Sequence, residues 1–203
     1  MRFGVLVSGS GTNLQALLDA ERAGALAPGE IACVLSNKPD VPALERARAH
    51  GKPALTVDHK AYPSREAFED VLCETLAQHA VDAIVLAGFM RVLTPRFLAA
   101  FPDRVINIHP SLLPAFPGID GPRQAFDHGV RWAGCTVHFV DPSVDTGAII
   151  LQDAVEVRDD DTVDSLRARI LEREHVILPR AAQLLSSGRL LREGRRVRVR
   201  QAP

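Results

Sequence analysis

The chain has 203 residues, enough for one domain with a sizeable core, and its 46% hydrophobic and 24% charged content is typical of a soluble globular protein. A net charge of −1 gives no general attraction for nucleic acid or for an anionic membrane, so small molecules are the expected partners. The three cysteines lack metal-site or redox spacing, and no apolar segment has signal-peptide or membrane-spanning length, which predicts a cytoplasmic protein with reduced cysteines.

Short apolar segments alternate with helical patterns along the chain. This alternation predicts an α/β fold with a mostly parallel, twisted sheet of about seven strands and helices on both faces. The predicted strands are Phe3 to Val7, Ile31 to Ser36, Ala54 to Val57, Ala83 to Ala87, Val105 to His109, Cys135 to Val140 and Ala148 to Val155. The predicted helices are Asn13 to Ala23, Pro42 to Ala49, Ser64 to Gln78 with Ser64 as N-cap, and Val163 to Ser186, capped by Asp161 or Thr162 and kinked at Pro179.

No repeat or low-complexity linker divides the chain, so we expect residues 1–187 to form a single domain. Residues 188–203 are rich in arginine, with Glu193-Gly194 near the centre, and are expected to form a peripheral hairpin or tail. A solvated basic tail is favoured over a nucleic-acid-binding patch because the whole protein is nearly neutral.

A Gly-rich loop, Ser8-Gly9-Ser10-Gly11-Thr12-Asn13, connects the first predicted strand to the first helix. Its glycines allow backbone amides to approach an anion at the positive end of the helix, which suits a phosphate. It is not a dinucleotide fingerprint, because Leu14 stands at the third glycine position and the second strand ends at Ser36-Asn37 without the acidic residue that would bind a ribose. An ordinary Gly-rich turn is an equally good interpretation of the loop alone.

Two polar residues, Asn107 and His109, interrupt the apolar strand that ends at Pro110. Strand side chains alternate between faces, so both point the same way. Pro110 ends the strand and leaves them at its carboxyl end, the edge where open α/β sheets bind ligands. The alternative is a hydrogen-bonded asparagine and a buried neutral histidine without a catalytic role.

Asp145 lies in a loop stiffened by Pro142 and turned by Gly147. If it approaches His109, its charge favours the imidazolium, which can donate to a developing oxyanion and exchange a proton. The alternative is that Asp145, like Asp141, merely stabilises the turn. His138 lies within a strand pattern and is interpreted as structural.

Three segments carry a family resemblance. The chain resembles the phosphoribosylglycinamide formyltransferases of the formyl-folate transferase family in the segment Asn107-Ile108-His109-Pro110-Ser111-Leu112-Leu113-Pro114, in the Ser8 to Leu14 loop and in Asp145-Thr146-Gly147. A fourth segment, Leu86-Ala87-Gly88-Phe89-Met90-Arg91, also fits. The resemblance runs from the first strand through the long C-terminal helix. It implies a Rossmann-like formyltransferase fold, with a monomer or a homodimer both open.

The resemblance also implies a reaction and its residues. The amine of glycinamide ribonucleotide takes the formyl group of 10-formyltetrahydrofolate, a co-substrate, through a tetrahedral oxyanion in purine biosynthesis, without a metal. Asn107 and His109 would donate to the oxyanion, and Asp145 would orient His109. The implied ribonucleotide residues are Gly11, Thr12, Asn13 and Glu174. The implied folate residues are Arg65, Met90, Arg91, Val92, Leu93 and Asn107.

The chain departs from these relatives in two places. Where relatives commonly carry a histidine after Pro117-Gly118, it has Ile119-Asp120-Gly121-Pro122, and Leu171 stands where some relatives are polar. Two other functions stay open: a hydrolase that releases formate from the same folate, and a non-catalytic sensor of a phosphate ligand. From the residues alone, the prediction ends at an α/β enzyme that binds a small phosphorylated ligand.

Overall fold

The computed structural model of the protein describes residues 1–201 and contains a seven-stranded sheet. The strands are β1 (Arg2–Val7), β2 (Glu30–Ser36), β3 (Ala54–Thr56), β4 (Ala83–Leu86), β5 (Val105–His109), β6 (Trp132–Phe139) and β7 (Ile149–Glu156). Their order in the sheet is β3-β2-β1-β4-β5-β6-β7. The first five strands pair in parallel, whereas β6 pairs antiparallel with both β5 and β7. The predicted α/β class with a mostly parallel sheet is confirmed.

Six α-helices are present among the described residues: α1 (Thr12–Arg22), α2 (Pro42–Ala49), α3 (Arg65–Gln78), α4 (Pro95–Ala100), α5 (Gly121–His128) and α6 (Val163–Ser186). They cover both faces of the sheet, as predicted. Val5 and Val7 of β1 pack with α1, α2, α5 and α6 in one apolar cluster, whereas Leu6 packs with α3 and α4 in the other. This division follows from the alternation of side chains along a strand.

The helix caps agree with the sequence-based predictions. Ser64 Oγ accepts a hydrogen bond from the Ala67 N–H at 3.1 Å, and Thr162 Oγ1 accepts one from Ser165 at 3.2 Å. Asp161, the other predicted cap, instead forms an ion pair with Arg169 at 2.5 Å. The helix α6 continues past Pro179 to Ser186.

Three elements differ from the predictions. The strand β6 begins at Trp132 rather than Cys135 because Trp132, Ala133 and Gly134 already pair with β7. The helices α4 and α5 were not predicted, and both are short and contain a proline in their first turn. A proline at a helix start is well tolerated, but it reads in sequence as the end of a helix.

The Arg-rich segment contains β8 (Leu190–Glu193) and β9 (Arg196–Val199), which pair antiparallel around Gly194. This pairing is what the hairpin interpretation predicts. Residues 202 and 203, which belonged to the predicted tail, lie outside the described residues. The division of the chain at residue 187 stays a prediction.

The topology brings three loops to one edge of the sheet. β1 lies between β2 and β4, so the chain order reverses between β1 and β4. A crevice forms at such a reversal, beyond the carboxyl ends of the strands. The loops that follow β1, β4 and β5 all begin there. Within residues 1–201, no helix has both the length and the apolarity needed to cross a bilayer.

Candidate active site

A cavity of about 360 Å³ opens at this edge of the sheet, and we refer to it as the cleft. Its wall is formed by residues 88–93 after β4, the end of β5, residues 118–120 before α5, and residues 140–145 after β6. Of the predicted site residues, it contains Met90, Arg91, Val92, Leu93, Asn107, His109 and Asp145. These residues come from three segments far apart in sequence, as the motif-based hypothesis requires.

His109 lies at the inner wall of the cleft with only 5% of its surface exposed. Its Nδ1 is 3.4 Å from Asp145 Oδ2, and its Nε2 is 3.1 Å from the carbonyl oxygen of Phe116. A carboxylate and a carbonyl can only accept hydrogen bonds, so a ring that carries protons on both nitrogens satisfies both contacts. Each ring nitrogen of His109 therefore faces a hydrogen-bond acceptor.

Asp145 adopts a left-handed backbone conformation with φ of 54°. Its Oδ2 accepts a hydrogen bond from the Gly118 N–H at 2.8 Å, and its Oδ1 lies 3.7 Å from His138 Nε2. The alternative role as a turn former belongs to Asp141, whose Oδ1 accepts from the Ser143 N–H and the Thr146 hydroxyl. Both aspartates line the cleft, but Asp141 stabilises the turn whereas Asp145 contacts His109.

His138 was interpreted as structural, but it is part of this network. Its Nδ1 lies 2.8 Å from the carbonyl oxygen of Phe139, so Nδ1 must carry the proton and Nε2 must accept. Burial lowers the pKa of His138, which keeps the ring neutral. Nε2 lies 3.2 Å from Asn107 Nδ2 and orients that amide. His138 pairs with Asn107 across β5 and β6, a register that could have identified it had the antiparallel pairing been foreseen.

The Gly-rich loop and α6 bring the predicted ribonucleotide residues together beside the cleft rather than in its wall. Asn13 Nδ2 donates to Glu174 Oε2 at 2.6 Å, although the two residues are 161 positions apart. Asn13 Oδ1 is buried without a hydrogen-bond partner among residues 1–201. Gly11 and Thr12 precede Asn13 at the start of α1. The start of this helix therefore presents N–H groups and a free buried acceptor.

Ser8 connects this loop to the cleft. Its hydroxyl donates to Asn37 Oδ1 at 2.5 Å and accepts a hydrogen bond from the Met90 N–H at 2.8 Å. Met90 itself is 71% exposed and offers an apolar surface at the mouth of the cleft. Arg65, by contrast, begins α3 and is not part of the cleft wall. Its predicted contact with folate stays a prediction. No cluster of His, Cys, Asp or Glu within the described residues is arranged to hold a metal.

Gly11 is required by the fold itself. Its φ is 73°, and a Cβ there would lie 2.6 Å from Ala43 Cβ and 2.7 Å from Ala43 Cα. We expect Gly11→Ala to lower the free energy of unfolding by about 3 kcal/mol through strain and overpacking. Gly9→Ala is the matched control because a Cβ at Gly9 meets nothing within 4 Å. Urea denaturation of both variants tests this, and equal stabilities would contradict it.

Glu174 is almost fully buried, and burial raises its pKa from 4.5 to about 7. The folded protein therefore binds more protons than the unfolded chain between these values, so ionisation of Glu174 destabilises the fold as pH rises. Glu174→Gln should leave stability unchanged near pH 4 and raise it by up to about 3 kcal/mol above pH 7. Denaturation across this pH range measures the difference, and a stability gain independent of pH would contradict the assignment.

Comparison with known proteins agrees with the geometry. A family model described as formyl transferase matches residues 1–182. Phosphoribosylglycinamide formyltransferase of Escherichia coli K12 is 43% identical over 190 residues, which is 94% of this chain and 89% of the relative. Trifunctional purine biosynthetic protein adenosine-3 of Drosophila melanogaster is 49% identical over 191 residues, and the chain spans only 14% of that longer protein.

A solved structure, glycinamide ribonucleotide transformylase 1 from Symbiobacterium toebii, superposes on the fold with a TM-score of 0.97 at 56% identity. The superposition covers 99% of this chain and 94% of that one. It includes the full sheet and therefore the three loops that meet at its edge. The chain belongs to the formyl transferase family.

Proposed function

We propose that the protein transfers a formyl group from 10-formyltetrahydrofolate to the amine of glycinamide ribonucleotide, a step of purine biosynthesis. The observation that carries the proposal is that Asn107, His109 and Asp145 meet in one cleft beside the exposed apolar side chain of Met90. The names of the relatives in the same family support this choice of substrates.

The proposed chemistry begins with attack of the amine on the formyl carbon, which gives a tetrahedral oxyanion. N–H groups placed where negative charge develops stabilise such an intermediate. Asn107 offers its second Nδ2 hydrogen, since His138 takes the first, and His109 offers the hydrogen on Nε2, which it shares with the Phe116 carbonyl. Asp145 balances the positive ring and holds its orientation. Collapse of the intermediate breaks the bond between the formyl carbon and N10 of the folate. The proton that the attacking amine loses ends on N10, so formylated ribonucleotide and tetrahydrofolate are released.

The two substrates occupy adjoining parts of the sheet edge in this proposal. Gly11, Thr12 and Asn13 bind the ribonucleotide at the positive end of α1, and Glu174 with the free Oδ1 of Asn13 receives its hydroxyl or amine groups. Residues 90–93, together with Asn107, bind the folate in the cleft. Its flat ring suits apolar walls, while Arg91 and Arg65 suit its carboxylates.

The partners that we propose are these two small molecules alone, with no nucleic acid, membrane or metal. We also propose a cytoplasmic protein that is a monomer or a homodimer. The near-neutral net charge supports the proposal that neither nucleic acid nor a membrane is a partner.

Folate consumption measured with and without glycinamide ribonucleotide tests the proposed function. A transferase consumes 10-formyltetrahydrofolate only when the acceptor is present and forms formylated ribonucleotide in equal amount. Release of formate without the acceptor would instead establish the hydrolase. Binding of ribonucleotide without consumption of folate under any condition would favour the non-catalytic sensor.

Asn13→Ala should weaken ribonucleotide binding about tenfold, because it removes the buried acceptor and the partner of Glu174. Folate affinity should not change, since Asn13 is absent from the cleft wall. Calorimetric titration of each substrate measures both affinities. Lost folate affinity with unchanged ribonucleotide affinity would show that the two half-sites are assigned the wrong way round.

A further inference from the structure

Residues 116–120 form a loop before α5, here called the active-site loop, that touches the catalytic residues through its backbone. The carbonyl oxygen of Phe116 lies 3.1 Å from His109 Nε2, and the Gly118 N–H donates to Asp145 Oδ2 at 2.8 Å. Both contacts depend on where the loop backbone lies rather than on its side chains. The position of the loop therefore sets the orientation of His109 and Asp145.

The backbone of the active-site loop is strained. Phe116, Gly118 and Asp120 have φ of 55°, 82° and 58°, which is unfavourable for the phenylalanine and the aspartate. Strained backbone persists only where the surroundings impose it. Ile119 cannot do so by packing, because 89% of its surface is exposed. Phe116 packs against the apolar core and holds the first part of the loop, so the part from Gly118 to Asp120 must be held by other contacts.

Two polar side chains supply such contacts. Gln124 Nε2 donates to the carbonyl oxygens of Pro117 and Ile119 at 3.1 and 2.8 Å, but Gln124 lies on α5, which begins where the loop ends. A shift of α5 would move Gln124 and the loop together, so these hydrogen bonds do not fix the loop relative to the rest of the protein. Asp120 Oδ1 accepts a hydrogen bond from Arg167 Nη2 at 3.0 Å, and Arg167 lies 47 positions away on α6. The ion pair with Arg167 thus connects the loop to a separate element.

The helix α6 is a firm support for this contact. Leu166, next to Arg167, is completely buried, and Ile170 one turn further is almost so. Arg167 Nη1 also pairs with Asp164 at 2.5 Å, but the Asp164 side chain is 88% exposed, and such a solvent-exposed pair contributes little. The hydrogen bond from Arg167 lowers the pKa of Asp120, so the carboxylate stays charged well into the acidic range. Both partners of the pair are therefore charged near neutral pH.

We propose that Asp120 and Arg167 form a clamp that holds the active-site loop against His109 and Asp145, which makes both clamp residues positioning residues for the reaction. The role in formyl transfer rests on the proposed function, whereas the mechanical role does not.

Two variants open the clamp. Asp120→Asn keeps an N-cap acceptor for α5 and a residue that tolerates a left-handed backbone, but it loses the charge that pairs with Arg167 and, within α5, with Arg123. Arg167→Met keeps the apolar stem and loses the guanidinium. Both residues are partly exposed, so the thermal unfolding midpoint should not move. Exchange of the Gly118 amide hydrogen, measured by NMR, should become faster in both variants.

In steady-state kinetics we expect kcat to fall about tenfold in each variant, with KM for the ribonucleotide unchanged, because misplaced catalytic groups slow the chemical step. The double variant should be no slower than either single variant, since each already opens the clamp. Arg167→Lys should restore part of kcat. Asp164→Asn is the matched control: it removes the other partner of Arg167, which is fully outside the loop, and should leave kcat and Gly118 exchange unchanged.

Unchanged Gly118 exchange in Asp120→Asn and Arg167→Met would overturn the clamp. Faster exchange with unchanged kcat would overturn the positioning role. Failure of the unmodified protein to transfer formyl would overturn the proposed function, and the exchange measurement would still decide whether the clamp holds the loop.

Discussion

His109→Ala is expected to lower kcat for formyl transfer by about 10² to 10³, the usual cost of removing a donor to an oxyanion. The histidine is buried against Asp145 and the Phe116 carbonyl, so no neighbouring side chain can take its place. Ribonucleotide affinity should be nearly unchanged because that substrate is assigned to the loop before α1. Steady-state kinetics and calorimetric titration measure the two effects separately.

His79→Ala is the control for this variant. His79 ends α3, and its contact to Arg2 is made through its backbone carbonyl, which alanine retains. Its turnover should equal that of the unmodified protein. Near-normal turnover of His109→Ala, in a protein that still folds by thermal unfolding, would remove His109 from the catalytic set.

Asp145→Asn should lower kcat by about 10², because the neutral amide cannot balance positive charge that His109 acquires during proton exchange. The backbone should not change, since asparagine also tolerates the left-handed conformation at φ of 54°. The amide oxygen can still accept from the Gly118 N–H, so the active-site loop stays in place. The expected fall in kcat therefore measures the effect of the Asp145 charge, since the position of the side chain is kept.

Asp103→Asn is a closely matched control. Like Asp145, Asp103 has a positive φ and an ion-pair partner, here Arg192, but it lies outside the cleft. It should have normal kcat and a normal pH profile. If Asp145→Asn kept full activity, the contact with His109 would have at most a structural role.

Most of the fold could be predicted because strands and helices of this chain carry strong local patterns. The five parallel strands and the long helices lie within a few residues of their predicted bounds. The start of β6 was missed because Trp132 to Gly134 are fixed by pairing with β7, a contact between distant segments. The helix α4 was missed because six residues that begin with Pro95 show no recognisable period.

The site was predictable where its chemistry lies in one short segment. Alternation placed Asn107 and His109 on one face at the end of β5, and the structure brings both into the cleft with Asp145. Their roles in the reaction were implied by the family resemblance and stay proposals. The neutral His138 could not, because its role depends on antiparallel register with Asn107. The sequence did not show whether Gly11 is needed for ligand binding or for the fold. The need for the fold arises because a side chain at Gly11 would collide with Ala43 of α2, a contact between separate segments.

The helix α6 carries both Arg167 and Glu174, and this places a constraint on the length of the chain. The two residues are separated by about two helical turns, so they lie on the same side of α6, about 10 Å apart along its axis. A single inserted or deleted residue between them would rotate one by about 100° relative to the other. Such a change would break either the contact of Arg167 with Asp120 or that of Glu174 with Asn13. Exposed positions such as Glu172 can change identity in evolution, whereas the number of residues in this segment cannot.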